Sequence, residues 1–316
     1  MRYIKKMPLP MAAVILACAA LGNLLATYTV MAKNIFGIIS AVLFSLLTIK
    51  IIVCWQGVKE ELKNPVIASV IPTYSMAMMI LAGYIKPISV AAGLGLWWTG
   101  VFLHILLIII YTKNFILSFD INKIFPSTFI VYVGIAAASI TAPAFGLANV
   151  GQLIFWFALV SLVILIFIIG YRVFMVGAIP EAAMPTTVIF AAPAALTLAA
   201  YLNSFSEKNI TMIYFLAILV GILYVIGFWF LAKALRLKFY PSYAAFTFPM
   251  VISAIALKGT MGVLMNAGKG ISWLQYIVKF QEVIATIVVV YVLIRFFIFI
   301  FAKDKIKVTN EKVKSS

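Results

Sequence analysis

The sequence predicts an all-α polytopic membrane protein: ten transmembrane helices, arranged as five helical hairpins in a pseudo-fivefold ring around a central pore, the inner helices kinked by proline. Three observations carry this expectation. Of 316 residues, 66% are hydrophobic and 10% charged, against roughly 45–50% and 25% in soluble domains. No water-facing fold hides that much apolar surface. The apolar residues also run unbroken, as in "IIVCW" and "VILIFIIG", which excludes the short alternating segments of a barrel. Finally, one proline-bearing pattern recurs five times along the chain.

At roughly 20 residues per crossing, ten spans are expected at 9–31, 35–57, 65–85, 91–117, 125–145, 150–177, 185–203, 210–235, 243–262 and 275–301. The first follows the basic start "MRYIKK" without an A-x-A-like cleavage site, so it is expected to be retained. The whole chain, 1–316, reads as one transmembrane domain with repeat hairpins at roughly 7–57, 64–117, 125–177, 184–235 and 241–301, closed by a basic tail at 302–316. The positive-inside rule sets the orientation. One side collects Arg2, Lys5, Lys6, Lys59, Lys63, Lys113, Lys123, Arg172, Lys233, Arg236, Lys238 and the tail; the other holds Lys33, Lys86, Lys208, Lys258 and Lys269. Both termini are therefore expected in the cytoplasm, with the protein in the cell membrane, and an even number of spans agrees. Cytoplasmic loops facing anionic lipid account for most of the net charge of +16 without any nucleic-acid partner.

The odd spans share a texture that the even spans lack. Leading prolines recur at Pro8, Pro65, Pro126, Pro185 and Pro241, 56 to 61 residues apart. A second proline follows in three spans, Pro72, Pro193 and Pro249, with Gly134 at the matching place in span five. Between them lie alanines and other small residues, which permit close backbone approach in a membrane. The even spans carry Leu, Ile, Val, Phe and Trp on every face, the pattern of lipid contact. A repeat of this period reads as a stacked or circular array of one supersecondary unit. The odd helices then belong inside, around an axial cavity; on the plainer reading their prolines and small residues serve tight packing alone.

Little in the sequence points to catalysis, a metal or a cofactor. His104 is the only histidine, and it reads either as a hydrogen-bonded packing residue or as a proton carrier. The eight acids sit mostly at loop positions, and there is no G-x-S-x-G, no phosphate loop and no paired-aspartate motif. Cys18 and Cys54 lie in apolar segments without metal spacing. Intramembrane charges are functional candidates by default. Glu282 in span ten, with Lys279 one turn earlier, reads as such a candidate or as a local ion pair. Lys258 at the end of span nine reads as a pore-mouth charge or an interface anchor, and Lys50 and Arg295 read as snorkelling residues. The odd spans offer hydroxyls, including Thr73, Ser75, Thr186, Thr187, Thr247 and Ser253, but almost no acids. A cation path usually shows carboxylates, so an uncharged, hydroxyl-bearing path suits anions better.

The segment "AAFTFPMVISAIAL" resembles the corresponding stretch of the tellurite-resistance/dicarboxylate transporter (TDT) family, which includes TehA and the slow-type anion channels of plant guard cells. "MPLPMAAVILACAALGN", "NPVIASVIPTYSMAM" and "VIFAAPAALTLAAYLN" fit the same pattern. The resemblance implies five hairpins around a pore, a homotrimer with one pore per protomer, and a phenylalanine of the ninth helix that occludes the pore; the matching residue is Phe248, before Pro249. Phe246, two residues earlier, is expected to pack. The expected function is anion conduction through a largely uncharged pore, with Pro72, Gly134, Pro193, Thr247 and Pro249 as lining or kink residues. The alternative is a proton-coupled dicarboxylate or sulfite transporter using Glu282 or His104; an integral-membrane enzyme is a third, weaker reading.

Overall fold

In the computed structural model, residues 2–302 are described; the basic tail lies outside them from residue 303 on. Among the described residues every regular element is helical. The main helices are α1 Met11–Leu25, α2 Val30–Val53, α3 Pro65–Ile85, α4 Val90–Ile116, α5 Ala136–Phe145, α6 Ala148–Val176, α7 Glu181–Ser204, α8 Ile210–Ala234, α9 Pro241–Asn266 and α10 Leu274–Phe301. Eight of these are long and apolar enough to cross a membrane; α1 and α5 are shorter. At 1.5 Å per residue, the 15 residues of α1 reach roughly 22 Å, less than a hydrocarbon core of about 30 Å.

The two short helices have identifiable causes. Pro8 and Pro10 hold the chain in turns until Met11. The chain before α5 forms one turn of helix, Thr128–Tyr132, and then loosens at Val133–Ile135. Pro143 next removes the amide that would bond the Ser139 carbonyl. The Ser204 hydroxyl, from α7, donates to that carbonyl instead at 2.6 Å. Gly146 closes the segment with φ of 73°, a left-handed value that suits glycine.

Several helix starts are fixed by side-chain caps. Thr29, Asn64, Ser89 and Asn209 each accept an amide hydrogen bond from the first turn of α2, α3, α4 and α8. Short helices at Arg2–Lys6 and Trp55–Glu61 flank α2, and Lys6 Nζ donates to the carbonyl of Ala302 beyond α10 at 2.9 Å. The two described ends of the chain therefore lie together.

Packing separates the helices into two sets. α1 packs against α3, α3 against α5, α5 against α7, α7 against α9, and α9 returns to α1. Each even helix packs on the odd helix before it. In the apolar stretch of α3, α7 and α9, 61–89% of residues are buried, against 28–39% in α2, α4, α6, α8 and α10. The exposed faces of the even helices carry large apolar residues, among them Phe102, Leu153, Phe167 and Val225. That is the surface a bilayer solvates and water does not.

Close approach between the sets depends on small residues. A Cβ added at Gly227 of α8 would stand 2.8 Å from Ala191 Cβ and 2.9 Å from the Val188 carbonyl of α7, whereas one at Gly221 would meet nothing within 4 Å. Gly227→Ala should therefore destabilise the detergent-solubilised protein by about 1–3 kcal/mol. Gly221→Ala should be neutral or stabilising by up to roughly 1 kcal/mol. Thermal unfolding of the two variants side by side checks this; equal melting temperatures would show that α7 and α8 do not pack this closely.

Candidate functional site

The odd helices are interrupted where a proline or glycine falls, because proline withholds an amide and crowds the preceding turn. α3 breaks at Ile71, and Pro72 starts its second half. α7 runs as 3₁₀ helix from Glu181 to Ala191 before Pro193 opens a regular α-helix. α9 is 3₁₀ from Pro241 to Phe246 and α-helical from Thr247. Pro249, near the N-terminus of that α-helical part, costs it little, since the first amides of a helix have no partner within it.

These interruptions meet at a small cavity of about 30 Å³, room for one or two water molecules. Its apolar wall draws on all five odd segments: Ala13 of α1, Met76 of α3, Phe129 and Gly134 ahead of α5, Pro193 of α7, and Phe248 of α9. Phe248 is 5% exposed, and Pro249 lines the cavity beside it. Phe246 faces elsewhere: it is fully buried and packs on Tyr243 at 4.5 Å between ring centroids. Gly134 has no space for a side chain, as a Cβ would collide with the Ile130 carbonyl and stand 2.9 Å from Met76 Sδ. Phe129, which the sequence did not single out, presents a second aromatic ring to the cavity and packs edge-to-face on Phe190 at 5.8 Å. Its only sequence signal is its place one turn after the leading proline Pro126.

Two residues expected on the lining do not reach this wall. Pro72 is buried behind it, and Thr247 directs its hydroxyl to the carbonyls of Ala244 and Ala13. Of the hydroxyl residues expected along the path, Thr73 lies on the cavity wall. Thr73, Ser75, Thr186, Thr187, Thr247 and Ser253 all donate to carbonyls three or four residues earlier in their own helices, at 2.7–2.9 Å. Prolines and 3₁₀ turns leave carbonyls short of amide partners, and in an apolar interior a nearby hydroxyl is the available donor.

His104 of α4 is fully buried. Its Nδ1 lies 2.9 Å from Ser75 Oγ on α3, and its Nε2 lies 3.1 Å from the Val131 carbonyl ahead of α5. It ties two interrupted segments together and stands apart from the cavity wall.

The charged candidates form a cluster at the far end of α9. Lys258 Nζ pairs with Glu282 Oε1 at 2.6 Å, their side chains 21% and 6% exposed. Lys258 also donates to Thr27 Oγ1 at 2.7 Å and to the Leu24 carbonyl at 3.3 Å. The Tyr28 hydroxyl donates to Glu282 Oε2 at 2.6 Å. Lys279, the expected local partner of Glu282, lies instead over the Tyr28 ring at 4.6 Å. The cluster thus joins the end of α1, α9 and α10. Lys50, read as snorkelling, is buried and paired with Glu61 at 2.7 Å. Arg295 bonds the Tyr291 hydroxyl one turn earlier at 3.2 Å and lies over the Phe239 ring at 5.3 Å. Arg172 is a buried cation that the sequence reading counted only among the charges of one membrane side; it bonds the Gly177 carbonyl and lies over the Phe125 ring at 6.0 Å.

Removing one member of a buried pair strands the other. Lys258→Met should cost about 2–4 kcal/mol, toward the lower end for a buried pair because Lys258 is partly solvated. Lys258→Met with Glu282→Gln should recover part of that loss. Melting curves of the two single variants and the double variant measure it, and strictly additive losses would mean the pair carries no coupling.

Comparison with known families gives one match across nearly the whole chain. A family model, SLAC1, described as voltage-dependent anion channel, matches residues 6–298. No curated protein matches the chain.

Proposed function

Because the chain belongs to the SLAC1 family of voltage-dependent anion channels, we propose that it conducts small inorganic or organic anions through the axis of its odd helices, and that Phe248 is the gate. In this reading the ten helices form five hairpins, with interrupted inner helices around the path and even helices in lipid. The protein is a homotrimer in the cell membrane with both termini in the cytoplasm. The observation that carries the reading is the convergence of all five odd segments on one narrow apolar cavity, with the Phe248 ring on its wall.

A cavity that admits one or two waters offers no hydration shell to an anion, so a narrow apolar neck blocks by sterics and dewetting. Turning the phenyl ring aside, or removing it, widens the neck without introducing charge. Phe129 narrows the same space from the opposite segment. The positive ends of the inner helices, which begin on the side of the chain termini, favour anions over cations at that mouth.

A proton-coupled mechanism would use Glu282 or His104. The contacts favour structural roles for both: Glu282 is held by Lys258 and Tyr28, and His104 is enclosed between Ser75 and Val131. We therefore assign the Lys258–Glu282 pair to holding the outer end of α9 against α1 and α10.

Reconstituted Phe248→Ala should raise anion current tenfold or more over wild type, equivalent to about 1.4 kcal/mol or more off the barrier. Phe246→Ala should instead lower stability by about 3–5 kcal/mol without opening the path. A folded Phe248→Ala protein with unchanged current would remove the gate assignment.

A further inference from the structure

A second cavity lies on the membrane-facing side, away from the axis. It is a crevice of about 600 Å³ bounded by the end of α2, the short helix Trp55–Glu61, the outer face of α3, and α4. Leu103, Leu106, Leu107 and Ile110 of α4 form one apolar wall, and Ile71 and Tyr74 of α3 lie on the crevice as well. Its polar edge is confined to Lys59, Lys63 and Asn114. Trp55, 48% exposed, lies at the same level with Lys59 Nζ 5.3 Å from its ring centroid. An exposed Trp beside Lys is the composition of a membrane interface. The edge therefore sits at headgroup depth while the wall runs toward the hydrocarbon.

The charges at this edge are unequally matched. Glu61 is held by buried Lys50 at 2.7 Å. Glu60 faces Lys63 at 2.8 Å, with both side chains about 70% exposed, and such a pair contributes little and exchanges readily. Lys59 has an aromatic face as its partner. Two ammonium groups and one amide are thus available at the mouth of an apolar crevice of about 600 Å³.

We propose that this crevice is a binding site for an anionic phospholipid of the leaflet facing the chain termini. Lys59, Lys63 and Asn114 hold the phosphate-bearing headgroup, and one acyl chain lies along Leu103, Leu106, Leu107 and Ile110. An apolar chain satisfies the wall, and a negative headgroup matches the edge; a zwitterionic lipid satisfies only the first. The site is independent of the conduction reading, because it lies on the opposite face of α3 from the cavity wall.

The test is native mass spectrometry of the full-length protein released from vesicles of equal phosphatidylglycerol and phosphatidylcholine, counting each lipid retained. At about fivefold per lysine near the surface, wild type should retain phosphatidylglycerol at least about tenfold over phosphatidylcholine. Lys59→Gln with Lys63→Gln should erase that preference while leaving some lipid bound. Ala68→Phe, which fills the crevice floor, should remove retention of both lipids. Lys238→Gln, a cation elsewhere on the surface, should change nothing. Equal retention of both lipids by wild type would overturn the proposal. So would an undiminished preference in the double lysine variant, or an equal loss in Lys238→Gln, which would reduce the effect to overall surface charge.

Discussion

A backbone carbonyl deprived of its amide partner inside an apolar interior must find another donor, and that single constraint organises this protein. Prolines 72, 143, 193 and 249 each withdraw an amide from an odd helix. At Pro143 the carbonyl left behind, that of Ser139, is met by the Ser204 hydroxyl, while Ser75, Thr197 and Ser253 donate to the carbonyls of Pro72, Pro193 and Pro249 themselves. Unmet, each would cost several kcal/mol in hydrocarbon. Ser204 of α7 serves a carbonyl of α5, and Ser253 of α9 also donates to the Ala191 carbonyl of α7, so these two bonds form only when the odd helices pack together. Burial of the inner set and exposure of the outer set follow from that requirement.

The same constraint explains the chemistry of the axis. Hydroxyls that repair carbonyls are not free to line a path, which leaves carbon at the wall of the narrow cavity. A constriction of carbon discriminates by dewetting, whereas selection of sign is left to helix ends and loops. Lys258 and Glu282, with Tyr28, form a latch between the end of α1, α9 and α10. The outer end of α9 is thereby held by charge, and its inner end by Tyr243 and Phe246 in the core.

Much of this was legible in the sequence because it is local. The prolines at intervals of 56 to 61 residues marked the repeat, and the alternation of small and bulky compositions separated the buried odd helices from the exposed even ones. Phe248 and Phe246 were distinguishable because residues two apart on a helix face different directions. The partners of the charges were not legible. Glu282 has a lysine three residues earlier, yet it pairs with Lys258 and Tyr28, the latter 254 positions away, since tertiary packing sets the register between distant helices. The destination of the hydroxyls was also hidden, because composition reports a donor but not the carbonyl that captures it. Nor did the sequence show that α1 and α5 fall short of a full crossing, which depends on where turns begin around Pro8, Pro10 and Pro143.

The central claim is that the cavity shared by the odd helices lies on the anion path. The most direct measurement is reactivity of a cysteine placed at Ala192, on the part of the cavity wall that α7 contributes, in a Phe248→Ala background with Cys18 and Cys54 replaced by serine. A membrane-impermeant anionic thiosulfonate should modify that cysteine and extinguish the current, and it should leave a cysteine at lipid-facing Val225 without effect. Anion current that persists while Ala192→Cys stays unreactive would place the path elsewhere and contradict the account.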